Sequence, residues 1–285
     1  MKKTIKAFLT NSINFSLFVL KIISTRFYST NIKSNVSGKV AVFANGPSLK
    51  DDLDTFISGV SYDNYVVLNN FAFDKKFEEL KPSHYCLADP MYFVTTHRIE
   101  TVSKLYKELE TKVTWSMNLY IPYNCRNKFN RFSNLTNPLI NVVYLNTNTY
   151  SGFDCFRNFF YAKGFAMPRV QTVANMAVYV AINLGYKNVD LYGFDHTFFD
   201  SMMVDDDNRL CNKETHFYSN STKIELKPII RNDNDQIFKI SDYLSAISKM
   251  FYSHDLLRCY ADNTGSKITN CSSISLIDSY ERKPK

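Results

Sequence analysis

Two histidines in this sequence of 285 residues lie among groups that could bind and activate a ligand. His196 follows Asp195 in the run Tyr-Gly-Phe-Asp-His-Thr, and His216 lies between Thr and two aromatic residues in the run Thr-His-Phe-Tyr. An imidazole with a pKa near 6.5 is the usual general base for a hydroxyl group. Either histidine could act as this base, and Asp195 would place a carboxylate beside the same ligand. The other histidines have sequence contexts typical of structural residues: His84, His97 and His254.

A glycine-containing turn, Ala-Asn-Gly-Pro-Ser-Leu, follows an apolar run at residues 44–49. Gly46 permits a sharp turn, and Pro47 suits the first turn of a helix. The backbone amides of that helix start, with the side chains of Asn45 and Ser48, would form a site for an anion and a ribose. The turn matches neither the GxGxxG pattern of dinucleotide-binding folds nor the GK[ST] ending of a P-loop. An NAD or P-loop site is therefore poorly supported.

Four more polar residues adjoin apolar segments where they could contact a nucleotide. Asn69 and Asp89 each follow a short apolar run, although polar residues at such places are also common turn formers. Arg169 could neutralise a carboxylate or phosphate, or form a surface ion pair instead. Thr172, at the first turn of an apolar helix, could donate a hydrogen bond to the same ligand as Arg169.

Short apolar runs alternate with amphipathic stretches from residue 36 to residue 285, which predicts an α/β fold. We expect a single Rossmann-like domain with a mostly parallel sheet. The predicted strands are 39–44, 65–68, 84–88, 113–115, 142–145, 189–192 and 258–261, and the predicted helices include 95–110, 170–184 and 237–252. Ligands of such sheets lie beyond the carboxyl ends of the strands, where the residues above are concentrated.

Two segments are expected to have special positions. Residues 170–184 are apolar on nearly every side, which predicts a helix deep in the core that ends at Gly185. The region of about 197–236 is rich in Asp, Asn and Ser, and contains the run Asp205, Asp206 and Asp207. A long excursion of this kind after a strand is typical of a lid over an α/β site, although it could also be a solvated surface insertion.

The N-terminal segment, residues 1–35, differs from the rest. Lys2, Lys3 and Lys6 precede an apolar stretch at 15–23 that is too short and too polar for a membrane span, and no small residues mark a cleavage site. A basic amphipathic helix could lie on an anionic membrane. It could equally pack on the domain. The first alternative predicts a cytoplasmic protein peripheral to the inner membrane face.

Composition excludes several classes of protein. With 45% hydrophobic and 21% charged residues, the chain is neither disordered nor collagenous nor a disulfide scaffold. The net charge of +7 suits anionic partners such as nucleotides or phospholipids, but the basic residues are scattered, which argues against nucleic acid. The six cysteines form no CxxC pair or Cys/His cluster with zinc spacing, so no structural metal site is expected.

The order of motifs resembles a known family. ANGPSL, LNNF, LADP, an Arg before a small-residue helix ending in LGY, then LYGFD and a late His are similar to the bacterial sialyltransferases of glycosyltransferase family 42. They equally resemble the related proteins similar to 6-hydroxymethylpterin diphosphokinase, often found with surface-polysaccharide genes. The resemblance spans roughly residues 38–265. It implies a metal-independent, GT-A-like transferase that uses CMP-sialic acid and requires no cofactor.

The resemblance also implies roles for individual residues. The positions around the donor nucleotide match, in order, Asn45, Gly46, Ser48, Asn69, Thr172 and Gly193. Arg169 matches an Arg near the active centre, and His216 is the nearest match to the lid histidine that acts as base. Two departures concern the donor. His196, Thr197 and Phe198 stand where the family has tyrosines that support the departing phosphate, and Asp89 replaces an Asn, so either the donor differs or a cation is present.

These observations predict a glycosyltransferase that builds a bacterial surface glycan from a CMP-activated, sialic-acid-like sugar by direct inverting displacement. Its partners would be the nucleotide-sugar and a glycan or lipid-linked glycan acceptor. One alternative is a Mg²⁺-dependent, diphosphokinase-like enzyme that acts on ATP, with the metal on Asp89, Asp195 and the 205–207 run. Another is a nucleotide-binding assembly protein without catalysis.

Overall fold

The computed structural model describes residues 2–25, 27–30, 32, 36–56, 60–93, 99–214, 225–231 and 236–283. Within them the strands are β1 Lys39–Phe43, β2 Asn64–Leu68, β3 His84–Cys86, β4 Met117–Pro122, β5 Ile140–Leu145, β6 Asn188–Tyr192, β7 Met202–Val204, β8 Leu210–Glu214, β9 Glu225–Pro228, β10 Lys267–Asn270 and β11 Glu281–Arg282. The helices are α1 Lys2–Ser24, α2 Leu49–Phe56, α3 Lys76–Leu80, α4 Ile99–Lys112, α5 Arg126–Phe132, α6 Asp154–Ala162, α7 Val173–Leu184 and α8 Ile240–Thr264. Short 3₁₀ turns lie at Phe71–Phe73, Pro90–Phe93 and Tyr123–Cys125.

An eight-stranded sheet has the order β11-β10-β6-β1-β2-β3-β4-β5, and each of its described pairings is parallel. Successive strands β1 to β5 add on one side of β1, whereas β6 returns to its other side. The strand order therefore reverses between β1 and β6, where open α/β sheets bind their ligands.

Helices cover both faces of this sheet. Along β1, Val40 and Val42 belong to one buried cluster with α7, and Ala41 and Phe43 belong to a second cluster with α4. Because both faces are buried, the strands read as continuous apolar runs rather than alternating ones. The predicted α/β fold with a mostly parallel sheet is confirmed.

The prediction for α7 is also confirmed. All of its residues are buried except Asn183, and Gly185 ends it in the left-handed region at φ 96°. Small and β-branched side chains let this helix approach the sheet closely, and it contacts β1, β2, β3 and β6.

Two predicted strands are wrong. Residues 113–115 follow α4, and the strand begins two residues later at Met117. Val113 was misleading because it is buried as the last apolar contact of the α4 face, at 2% exposure. Residues 258–261 lie inside α8, where Leu257 and Tyr260 continue the buried side begun by Met250 and His254. This three-to-four-residue spacing is helical, and the sheet is instead continued by β10.

Residues 197–236, the predicted lid, contain a three-stranded antiparallel sheet with the order β7-β8-β9. Residues 215–224 between β8 and β9 lie outside the described residues, and so does His216. His97 also lies outside them.

Helix α1 is apolar on two sides. Its inner side packs on the domain, where Phe18 and Ile22 are buried and Phe18 contacts the rings of Tyr150 and Phe160. Its outer side exposes large apolar side chains, each between 50% and 61% exposed: Ile5, Leu9, Ile13, Leu17, Leu20 and Ile23. Residues 4–24 are long and apolar enough to cross a membrane, with a mean hydropathy of 1.4, so the expectation that this segment is too short and too polar for a span does not hold.

Candidate functional site

A cavity of about 510 Å³ opens at the carboxyl ends of β1, β2 and β6. It brings together seven residues that were singled out from the sequence: Asn45, Gly46, Asn69, Thr172, Gly193, Asp195 and His196. They come from four distant segments that meet because parallel strands end at one edge of the sheet. We call this space the first cavity.

Two glycines make the ends of β1 and β6 meet. The Gly46 amide donates to the Gly193 carbonyl oxygen at 2.9 Å. A Cβ atom on Gly46 would clash with that oxygen and with the Asp195 carboxylate. Gly193 has φ 68°, which favours glycine, and a Cβ there would collide with the Ala44 carbonyl oxygen. The two turns therefore fit together only without side chains.

Asp195 holds the start of α2. Its carboxylate accepts the Ser48 amide N–H at 2.8 Å and the Ser48 hydroxyl at 2.5 Å. The Ser48 Oγ also lies 3.1 Å from the carboxylate of Asp52. Asp195 is only 2% exposed, which a carboxylate tolerates because these donors compensate its lost hydration. The Ser48 groups that were assigned to an anion from the sequence are thus engaged with Asp195, which acts as the cap of this helix.

The start of α7 also faces the first cavity. Thr172 is the N-cap, its side chain makes no capping hydrogen bond, and Val173 and Ala174 line the cavity. The first amides of a helix lack partners within it and carry the positive end of the helix dipole. Asn175, which is 1% exposed, has a side-chain Nδ2 without a hydrogen-bond partner among the described residues. The helix start available to an anion is therefore that of α7.

Asn69 presents an unpaired acceptor. Its backbone is left-handed at φ 52°, a conformation that Asn adopts more readily than most residues. The Tyr85 hydroxyl donates to its carbonyl oxygen, and its amide donates to the Cys86 carbonyl oxygen at 3.1 Å. Its side-chain Oδ1 is buried without a partner among the described residues. A ligand N–H or O–H group would satisfy this oxygen.

His196 is bonded to a second histidine that was expected to be structural. Its Nε2 lies 3.1 Å from Nε2 of His254, whose Nδ1 lies 2.9 Å from the Tyr280 hydroxyl. His254 is fully buried and Tyr280 is 4% exposed. Burial lowers the pKa of His196 to about 4, and burial together with the neighbouring His196 lowers that of His254 well below 6.5. Both rings are neutral at pH 7.

Arg169 lies outside the first cavity and lines an adjoining one of about 530 Å³. Thr172 and Phe198 line both cavities, so the two spaces are neighbours. Lys249 is a second cation of this adjoining cavity, and Arg231 lies 3.7 Å from the Asp242 carboxylate.

The remaining acidic candidates are placed elsewhere. Asp89 accepts the Met91 amide at 3.0 Å, at the start of a 3₁₀ turn, and it does not line the first cavity. Asp205 and Asp207 pair with Arg209 at 2.8 Å and 2.9 Å beside the β7–β8 connection. Within the described ranges, no group of three His, Cys, Asp or Glu residues could hold a metal ion.

Comparison with solved structures shows distant similarity only. No protein-family model matches the sequence, and no curated protein matches it. The chain is similar to the MAf glycosyltransferase from Magnetospirillum magneticum AMB-1, with 16% sequence identity and a TM-score of 0.47. The alignment covers 90% of this chain but only 35% of that one, so the chain spans about a third of its length.

Proposed function

We propose that this protein is a glycosyltransferase that moves a sialic-acid-like sugar from a CMP-activated donor to a glycan hydroxyl. The first cavity carries the proposal. It lies where the strand order reverses, and its lining includes five of the residues that the family resemblance assigns to the donor nucleotide: Asn45, Gly46, Asn69, Thr172 and Gly193. The volume of about 510 Å³ is that of a typical small-molecule site.

The donor would be held without a metal ion. The unpaired Oδ1 of Asn69 suits the amine of cytosine or a ribose hydroxyl. The start of α7, with the Thr172 hydroxyl, suits the phosphate, because helix N-termini attract anions. Fixed donors of this kind stabilise the charge that develops on a departing phosphate.

The acceptor hydroxyl needs a base, and we assign this role to His216 in the segment of about 197–236. Removal of the hydroxyl proton by a positioned imidazole contributes about 10²–10⁴ to the rate. A base and a leaving group on opposite faces of the sugar give inversion by direct displacement. Arg169, in the adjoining cavity, supplies positive charge for the carboxylate of an acidic sugar or for the phosphate.

The enzyme would work at an anionic membrane surface, where a lipid-linked glycan acceptor is available. The outer side of α1 supports this part of the proposal, because its six exposed apolar side chains form a stripe on a helix that also carries Lys6 and Lys21. Such a helix inserts its apolar stripe at the headgroup boundary while its lysines attract acidic lipids. The burial of Phe18 and Ile22 against the domain favours this orientation over a span.

Thermal unfolding with nucleotides tests the function. We expect CMP and CMP-sialic acid to raise the melting temperature in EDTA, and UDP, GDP and ATP to raise it less. Stabilisation by ATP alone, and only with Mg²⁺, would favour the diphosphokinase alternative and contradict the proposal.

A further inference from the structure

We propose that His254 and Tyr280 hold His196 with its proton on Nδ1, and that this N–H group donates a hydrogen bond to a phosphate oxygen in the first cavity. The phosphate contact rests on the proposed function, whereas the position of the proton does not. His196 is then a neutral anion-binding group and not a general base, and His254 and Tyr280 are positioning residues.

Tyr280, His254 and His196 form a series of hydrogen bonds, and the buried Tyr280 hydroxyl determines which atom donates in each of them. Among the described residues, the Tyr280 hydroxyl has one hydrogen-bond partner, Nδ1 of His254 at 2.9 Å. A buried hydroxyl proton without an acceptor is strongly unfavourable. The Tyr280 hydroxyl therefore donates, and Nδ1 of His254 carries a lone pair rather than a proton.

This arrangement fixes both imidazole rings. A neutral imidazole has one N–H donor and one acceptor nitrogen. With Nδ1 of His254 accepting, the proton of His254 lies on Nε2 and is donated to Nε2 of His196 at 3.1 Å. Nε2 of His196 is then an acceptor, and its proton lies on Nδ1. In the opposite arrangement the buried Tyr280 hydroxyl would have no described acceptor.

The surroundings of His196 keep the ring neutral. The rings of Phe194, Phe198 and Phe251 lie around it, with centroids 5.5–6.2 Å from its own. Its lone pair is occupied by the His254 N–H, so no nitrogen is free to accept a proton from an acceptor sugar. The hydrogen bond to His254 and these aromatic contacts hold the ring in place. What the ring can offer the cavity is one fixed N–H donor.

An anionic oxygen is the partner that this donor fits. The start of α7 faces the same cavity as His196, and its first backbone amides are also donors. Donors that converge from two segments suit a phosphate, whose oxygens accept several hydrogen bonds at once. A neutral donor stabilises charge on a departing phosphate without giving up a proton.

The position of the proton can be read directly from imidazole ¹H–¹⁵N spectra of uniformly ¹⁵N-labelled protein at pH 7. We expect a protonated Nδ1 and an unprotonated Nε2 for His196, and the reverse for His254. The Tyr280→Phe variant removes the first donor, and we expect both rings to shift towards the opposite tautomer. A wild-type His196 protonated on Nε2 would overturn the inference. This measurement needs no ligand.

The phosphate contact is tested with CMP and two variants that tolerate a left-handed backbone. The amide of His196→Asn keeps a donor near the position of Nδ1, and His196→Gly removes it. We expect CMP affinity to fall about tenfold to a hundredfold in His196→Gly, and much less in His196→Asn, with thermal unfolding as the check on folding. Equal affinities in the two variants would overturn the contact. Failure of wild-type protein to bind CMP would contradict both this contact and the proposed function. The tautomer of His196 would still be tested by the imidazole spectra.

Discussion

The Nε2 atoms of His196 and His254 lie 3.1 Å apart, at the boundary between the first cavity and the core. Only one of the two Nε2 atoms can carry a proton at this distance. The tautomer of one neutral ring therefore determines the tautomer of the other. His254 belongs to α8 and its partner Tyr280 precedes β11, so the C-terminal part of the chain determines the chemistry of a residue that follows β6.

Stability should depend on pH through buried histidines. Burial lowers the pKa of His84 and His196 to about 4, against about 6.5 in an unfolded chain. Between these values the unfolded state binds more protons, so the free energy of unfolding falls as the pH drops from about 6.5 to 4, and is insensitive to these groups above that window. Each contributes at most about 1.4 kcal/mol per pH unit.

Urea unfolding at pH 7 and pH 5 measures this effect. We expect lower stability at pH 5, and a smaller difference between the two values in His84→Gln, which removes one titrating group. Equal stability of the wild-type protein at both pH values would show that these rings are not buried as neutral groups.

Loss of the Asn69 side chain should weaken nucleotide binding. Asn69→Gly removes the unpaired Oδ1 and keeps the left-handed backbone, so we expect CMP affinity to fall about tenfold, the equivalent of one hydrogen bond. Asn134→Gly is a matched control, because Asn134 is also left-handed, at φ 46°, is exposed and does not line the first cavity. Calorimetric titration that finds equal affinities in the two variants would remove Asn69 from the site.

Removal of the Asp195 carboxylate should lower the stability of the fold, because this side chain holds the start of α2. Asp195→Ala leaves the amide and hydroxyl of buried Ser48 without their acceptor, and we expect a loss of about 2–4 kcal/mol in the free energy of unfolding. Asp200→Ala removes an exposed carboxylate from the same segment and should cost less than about 0.5 kcal/mol. Similar values for both in denaturant titrations would contradict the capping role.

The outer side of α1 should direct membrane binding. Ile13→Glu places a charge in the apolar stripe, and we expect binding to phosphatidylglycerol-containing vesicles to fall at least tenfold in flotation assays. Ile274→Glu is a matched control, since both isoleucines are 60% exposed and Ile274 lies far along the chain from α1. Equal flotation of both variants would exclude this surface, and resistance of the wild-type protein to alkaline carbonate extraction would indicate a span instead.

Much of the fold could be predicted because buried parallel strands have a simple signature. The runs at β1 and β6 are mostly apolar, apart from Lys39, Asn188 and Asp190, and they locate the sheet edge at which Gly46 and Gly193 meet. Strand β4 was missed because a buried Val113 before it reads like a strand, and because it ends in Pro122, which strands usually avoid.

The site was predicted in its location but not in its bonding. The partners of Ser48 and His196 lie 147 and 58 residues away in the chain, and no local spacing indicates such pairs. The available signal was His254 among the mostly apolar buried residues of α8, and such a position is equally typical of a structural histidine. Whether a polar residue after a strand faces a ligand or another side chain is decided by tertiary packing.

Release of CMP from CMP-activated acidic sugars, measured with a hydroxyl-bearing glycan acceptor in EDTA, tests the proposed function most directly. We expect turnover that EDTA leaves unchanged, and that falls about 10²–10⁴-fold in His216→Ala while CMP affinity is retained. Turnover of ATP that requires Mg²⁺, with no release of CMP from any sugar in the panel, would contradict the assignment as a glycosyltransferase.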